Sequence, residues 1–420
     1  MTTSRAGGRE PSDYQILSAR ASRAFAIRLA TANLGLFIAL LTPVVVTMQL
    51  RVEELAPAHK ERTVGLILGT GALLAMIGNP LAGSLSDRTT SRFGRRRPWL
   101  IGGAALGTAG LTIVATVPSV PAVLLGWRVA QLAFNAVMAA LTATIPDQVA
   151  PAERGLASGA MGFSQVVAII GGVLLAATLP GAAKFLAPAA VGLILITAFA
   201  ATLNDPAVPA PREPFSARAF ASSFVVDPRR HPDFGFAWLT RFLVMLGIAM
   251  PLSFLLFFLQ DRLGLSEDEA TAGLATLVTA SYGCTALASA FGGWISDRAA
   301  RRKIFVITSA LILSAGLALL STASTFATVL AAQLILGIGT GMFFAVDMAL
   351  VTQVLPDPRT AAKDLGVINI ANALPQSLAP AIAPLFLAVG PSKNYPLLFA
   401  FAAVSALTGA VLVTRIRGVD

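Results

Sequence analysis

Residues 83–100 read GSLSDRTTSRFGRRRPWL, and residues 291–305 read FGGWISDRAARRKIF. In both, small residues lead into Ser-Asp-Arg and a basic run follows. The two aspartates, Asp87 and Asp297, stand 210 positions apart. A second pair of stretches keeps that offset: TIPDQVAPAERG at 144–155 and VLPDPRTAAKDLG at 354–366 place Asp147 and Asp357 210 positions apart as well. Two independent landmarks with one offset mark an internal duplication, so the chain reads as two halves built to one plan.

What lies between the landmarks is apolar. The 420 residues are 55% hydrophobic and only 12% charged, against about 25% charged in soluble domains. The mean hydropathy of +0.75 belongs to a membrane protein. Spans long enough to cross a ~30 Å hydrocarbon core as helices fall near 25–50, 62–86, 98–117, 121–145, 155–179, 185–203, 235–260, 270–295, 304–321, 325–355, 364–389 and 395–414. The expected fold is an all-α integral membrane protein of twelve transmembrane helices in two pseudo-symmetric six-helix bundles. The first bundle occupies 25–203 and the second 235–420, with a polar tail at 1–24 and a Pro- and Arg-rich linker at 204–234. No apolar core precedes Phe25, so no cleaved signal peptide is evident and the first span serves as its own insertion signal.

The net charge of +10 raises the question of nucleic acid. That partner requires a basic face on a folded soluble domain. Here the basic residues follow alternate loops instead. Twenty-three lie on the side of the N-terminal tail, while Arg51, Lys60, Arg62, Lys184, Arg262 and Lys393 are the six on the other. This is the positive-inside pattern, which puts both termini in the cytoplasm of a protein in the cytoplasmic membrane and leaves no nucleic-acid partner. Cys284 is the single cysteine, so no internal disulfide forms. His59 and His231 fall in loops on opposite sides of the membrane, which argues against a metal site. No lysine follows a glycine, so the chain holds no phosphate-cradling GxxxxGK[ST] loop. We expect no cofactor and no enzymatic activity.

Parallel six-helix repeats are one of the known transporter plans. The loop after the second span, with Gly83, Asp87, Arg88, Gly94, Arg95 and Arg96, resembles the G-x-x-x-D-R-x-G-R-[KR] signature of the major facilitator superfamily. It carries a longer insert, TTSRF, before the glycine. This SDR-x-x-S-R-x-GRRRP form is similar to the glycoside–pentoside–hexuronide and sucrose transporter branch. The resemblance implies alternating access by a monomer. It also implies that Asp87 and its arginines grip the N-terminus of helix 11 when the cytoplasmic side is shut, with Asp297 and Arg298 doing the same near helix 5. A carboxylate gains about 0.3–1 kcal/mol near a helix N-terminus, and arginine adds bidentate bonds. Alternatively, Arg92, Arg95, Arg96 and Arg97 do no more than set topology.

Charges in mid-span are costly and mark functional sites. Asp347 is the carboxylate well inside a span, in GMFFAVDMALV; Arg128 lies in WRVAQLAFN and Arg241 in WLTRFLV. These fall in helices 10, 4 and 7, which with helix 1 line the central cavity in the superfamily; helix 1 adds Asn33. Arg128 and Gln131 resemble the superfamily's R-x-x-Q-G element of proton-coupled transporters, with Leu132 in place of the glycine. Asp347 is therefore the expected proton carrier; alternatively it only neutralises a buried arginine, and Arg241 snorkels to the surface. The second span carries no acid, which disfavours the sodium coupling found in parts of the resembling branch. Asn135, Gln165, Asn369, Asn372 and Gln376 offer hydrogen bonds to a hydroxylated solute, and Trp127 and Trp238 offer ring faces. Asn369, Asn372 and Gln376 share one helical face.

These features point to a secondary transporter of a small polar solute, a sugar or glycoside, with a proton. Two rivals differ in kind. A proton-driven exporter of drugs or metabolites would resemble its group in a Gly-Pro-x-x-Gly-Gly element of helix 5, where this chain has AIIGGVLL. A non-transporting assembly or sensing protein would leave two tandem latches and the intramembrane charges idle.

Overall fold

In the computed structural model, residues 19–150, 153–206, 230–299, 302–354, 361–390 and 392–416 are described, and among them every element is helical. Twelve helices are long and apolar enough to span a membrane. The first half holds α1, a span at Ser22–Leu55, then α2 (Lys60–Asp87), α3 (Arg97–Thr116), α4 (Val120–Gln148), α5 (Arg154–Thr178) and α6 (Ala183–Thr202). The second holds α7 (Pro232–Leu252), α8 (Glu267–Ala299), α9 (Arg302–Thr322), α10 (Phe326–Gln353), α11 (Ala361–Leu387) and α12 (Tyr395–Val413).

The duplication read from the landmarks is repeated in the packing. α1 packs on α5 and α6, α2 on α4, and α3 on α4 and α6. Adding six to each number gives the contacts of the second half: α7 on α11 and α12, α8 on α10, and α9 on α10 and α12. The halves meet through α2 against α11 and α5 against α8, which are again equivalent pairs. Small residues allow the approach. A Cβ on Gly65 of α2 would lie 2.3 Å from the Pro380 carbonyl oxygen of α11, so only glycine fits there.

Two helices depart from the straight spans expected at 25–50 and 235–260. In α1, residues Pro43–Thr47 are wound as a π-helical turn before the helix resumes at Met48. In the second half the span breaks after Leu252 and resumes over Leu255–Leu263, ending at Gly264 in a left-handed conformation. Both departures start at proline, Pro43 and Pro251, which lacks an N–H and clashes with the preceding turn. Gln49 ties the two breaks together: its buried amide donates to the Val44 carbonyl at 2.8 Å and to the Ser253 carbonyl at 3.0 Å.

Candidate transport site

Two faces of the bundle are distinguished by their loops: the basic-loop face, with residues 88–96, and the far face, with Lys60, Asp261 and Lys393. The far face is sealed between the halves. Lys60, almost wholly buried, bonds Glu53 at 2.7 Å in its own half and Asp261 at 3.1 Å in the other, and its ammonium sits 4.7 Å from the Phe257 ring centroid. Lys393 bonds Glu61 across the halves and Asp261 at 3.1 Å, while the Tyr395 hydroxyl donates to Asp261 at 2.6 Å. Lys184 adds a third bridge, to Glu267 at 3.2 Å. Burial pushes the Asp261 carboxyl up, but the bonds from Tyr395 and Lys393 and the charge of Lys60 outweigh it and hold it below the ordinary range. The sequence placed these lysines on the far side as exceptions to a charge rule. It gave no sign that they pair across the halves.

Between this seal and the basic-loop face lies a cavity of about 940 Å³. α1 and α5 form one wall, with Leu41, Val45, Phe163, Val166 and Ile169. α7, α8, α10 and α11 form the other, where Ser281, Tyr282, Thr285 and Ser289 rise along one face of α8 opposite Gln333 and Thr340 of α10. Of the residues anticipated from sequence, Gln165 and Gln376 line the cavity.

Asp347, Arg241 and Asn372 come together just beyond it. Arg241 Nη1 donates to Asp347 Oδ2, and its Nε donates to Asn372 Oδ1 at 2.7 Å. Arg241 is 5% exposed and Asp347 3%, so Arg241 is held inside the protein rather than snorkelling. Each member lies about one helical turn from a lining residue: Phe344 from Asp347, Met245 from Arg241, and Gln376, whose Nε2 donates to the Asn372 carbonyl, from Asn372. Asn369 is exposed on the same helix.

The polar residues of α4 are placed differently from the expectation that α4 lines the cavity. None of them lines it. Trp127 is fully buried against Gly71 of α2, Arg128 donates to Thr70 Oγ1 at 3.4 Å, and Asn135 bonds Gln131 and receives a bond from Asn79. Small residues on α2 leave room for these side chains, so they pack between helices. Asn33 likewise bonds Met161 and Ser164 of α5. Trp238 stacks on Phe242 and donates to the Val367 carbonyl.

The bonds described for the basic loop lie within its own half. Arg96 is buried and bonds Asp87 at 2.6 Å, Asp147 at 3.0 Å and Ser86 at 2.8 Å. Arg95 bonds Asp147 at 3.0 Å. The Asp205 carboxylate accepts from the backbone N–H groups of Arg96 and Arg97 at 2.7 and 2.8 Å, which caps the start of α3. Gly94 turns the chain there with φ +99°. Arg88 bonds the Ser84 carbonyl, while Gly83 lies loosely against Ala139. Arg298 is exposed near the end of α8. The Asp297 side chain and residues 355–360 before α11 lie outside the described residues.

Twelve helices in two equivalent sets of six, joined through α2–α11 and α5–α8, match a known family along nearly the whole length. The family model described as Major Facilitator Superfamily aligns with residues 24–279 and 237–420. The chain belongs to the major facilitator superfamily. Its fold is that of solved members. It superimposes on a mutant of the nucleoside transporter NupG with a TM-score of 0.72 and 14% identity, over 94% of this chain and 99% of that one. It also superimposes on a bacterial homolog of the human lysosomal transporter Spinster, inward-facing and unoccupied, with a TM-score of 0.66 and 16% identity over 95% and 96%. A stretch of 39 residues is 51% identical to an uncharacterized symporter, sll1374, of Synechocystis sp.; it spans 9% of this superfamily member and 7% of that relative.

Proposed function

We propose that this superfamily member is a secondary active transporter that carries a small polar solute, sugar- or glycoside-like, together with a proton. The halves at 25–203 and 235–420 rock about the cavity as a monomer, joined by the linker at 204–234. The charge asymmetry of the loops supports a cytoplasmic membrane location with both termini and the basic-loop face inside. The long SDR-x-x-S-R-x-GRRRP loop supports the glycoside–pentoside–hexuronide branch.

The observation that carries the reading is the Arg241–Asp347–Asn372 set, one turn from the cavity. Asp347 accepts a charge-assisted bond from Arg241 there, in a setting where an unpaired charge is costly. Protonation of Asp347 weakens that bond and frees Arg241 and Asn372, which are linked to the cavity through Gln376. A proton thereby changes the helix contacts beside the solute. Arg128 and Gln131, packed between α2 and α4, act by stiffening that helix pair.

Asp347→Asn separates coupling from transport. In proteoliposomes it should abolish uphill accumulation driven by a pH gradient while exchange of solute down its own gradient persists. Uphill transport with an unchanged pH dependence would remove Asp347 from the mechanism. The apolar α1–α5 wall favours a second reading, proton-driven export of a drug or metabolite. The direction of the pH gradient that drives net flux distinguishes it from uptake.

A further inference from the structure

The polar side chains of the cavity are concentrated on one side, set among apolar residues of the same helices. Eight polar side chains line the cavity; seven come from α8, α10 and α11, and Gln165 is the contribution of α1 and α5. No Asp, Glu, Lys, Arg or His is among the lining residues. The nearby charges, Arg241 and Asp347, are bonded to each other. While Arg241 and Asp347 hold each other, a charged solute would thus enter a low-dielectric site without a counter-ion, which is strongly unfavourable.

Gln333 identifies the polar end. It is 7% exposed, yet its amide, with two donors and an acceptor, has no hydrogen-bond partner among the described residues. The hydroxyls of Ser281 and Tyr282 are likewise without described partners, whereas Thr285 is already bonded to the Ser281 and Gly337 carbonyls. These groups face the cavity with hydrogen-bonding capacity to spare, so the polar end of a ligand can bond there. Opposite this strip, Phe163, Val166, Ile169, Leu41 and Val45 present hydrocarbon with little to bond a hydroxyl. The volume, about 940 Å³, is at the upper end of small-molecule sites (~300–1,000 Å³). A lone sugar ring would leave much of that apolar wall uncovered.

Taking the cavity as the solute site proposed above, we infer that it selects an uncharged amphipathic solute. The polar end of the solute bonds Gln333 and the α8 hydroxyls, and its apolar body lies on α1 and α5. Within glycosides, this means one with an apolar aglycone rather than a free sugar or a uronide.

The test uses the full chain in lipid nanodiscs, with Cys284→Ser and a reporter cysteine on the cavity wall, Ala286→Cys, whose reaction with N-ethylmaleimide is timed. Four probes are compared at equal concentration: D-glucose, phenyl β-D-glucopyranoside, phenyl β-D-glucuronide and N-phenyl-1-naphthylamine. Phenyl glucoside should protect the cysteine at concentrations about tenfold lower than glucose or the glucuronide. Gln333→Leu should raise the protecting concentration about tenfold without changing thermal stability. Equal protection by glucose or the glucuronide overturns the inference and leaves the sugar reading standing. Protection by N-phenyl-1-naphthylamine but by no sugar would show an apolar site without a working polar end, and overturns both the inference and the sugar reading. Protection by none of the four overturns both.

Discussion

The far face and the basic-loop face each carry a cluster of acids and bases, and the clusters differ in what they join. On the far face, Lys60 and Lys393 reach from one half to acids of the other, with Asp261 at the centre. On the basic-loop face, the partners of Arg96 are Asp87, Asp147 and Ser86, all in the first half. If the halves rock as proposed, a cluster that crosses them must break as they part, and so sets the balance between conformations. A pair within one half, such as Arg96 with Asp147, moves with that half and contributes to folding. Similar ion pairs thus do different work according to topology.

The contrast is broken most severely at Arg96. Its side chain is 4% exposed and serves two carboxylates, of which Asp147 is 13% exposed. Removing one member of a buried pair costs about 3–5 kcal/mol. Arg96→Ala should therefore lower the thermal unfolding temperature of the purified protein by several degrees, while exposed Arg92→Ala should lie within about 0.5 kcal/mol of wild type. Equal stability of the two variants would reduce the knot to a topology signal.

On the far face the expected effect is on populations rather than folding. Asp261→Asn removes the charge that Lys60 and Lys393 share. A loss of ~1–2 kcal/mol from the sealed state raises the far-face-open population roughly five- to thirtyfold. Spin labels at Ala58→Cys and Ser392→Cys, in a Cys284→Ser background, should report a longer distance. The sign with pH follows from the lowered carboxyl. A depressed acid contributes fully above its ordinary value (~3.9) and loses that contribution only as pH falls through its lower folded value. The distance should therefore be constant between about pH 5 and 8. A change in that window would assign the seal to the proton step, which we place at Asp347.

How much of this was legible depended on whether the signal was local. Spans, duplication and superfamily are carried by runs of neighbouring residues, and they were readable. The buried Arg241–Asp347 pair was readable as cost: two mid-span charges on different helices need partners, and Asn372 lay on a polar face of a third. The basic knot's acids were each visible, yet nothing in the order of residues says that Asp147 and Asp205 meet Arg95, Arg96 and Arg97. The placement of α4 was missed because its polar residues read equally well as cavity or packing positions, and the small residues of α2 decided the matter. The strip Ser281, Thr285, Ser289 had a usable signal in its four-residue spacing, but serine and threonine in a membrane helix more often bond their own backbone. Gln333 stands alone and needed the cavity to give it meaning.

A smaller effect sharpens the comparison at the junction of the two broken helices. Gln49 joins the Val44 and Ser253 carbonyls, so it links the halves on the far-face side as the ion pairs do, but without charge. Its Oε1 is buried without a partner, so part of its gain is already offset. Gln49→Leu should cost about 1 kcal/mol of the sealed state. The Ala58–Ser392 distance should shift in the same direction as in Asp261→Asn and by less. Salt should weaken the effect of the ion pairs and leave that of Gln49 unchanged.

The smallest expected effect is at Asp87, and it decides whether the basic loop does more than brace its own half. In this conformation Asp87 bonds Arg96 and is 52% exposed, so the pair contributes about 0–1 kcal/mol. Arg96 keeps Asp147 when Asp87 loses its charge, so Asp87→Asn should leave the unfolding temperature almost unchanged. The superfamily resemblance assigns Asp87 a second partner, the start of α11, in the conformation that is shut on the basic-loop face. A mutation shifts a two-state equilibrium only by its differential free energy between the states. If the latch exists, Asp87→Asn removes a contact of the shut state alone and lengthens the distance between labels at Thr90→Cys and Thr414→Cys, at the basic-loop ends of the two halves. We expect that shift to be about fivefold in population or less, since a carboxylate at a helix N-terminus gains about 0.3–1 kcal/mol. An unchanged distance distribution, together with unchanged stability, would leave Asp87 with Arg96 alone and make the far-face cluster the ion-pair device that senses which way the halves have rocked.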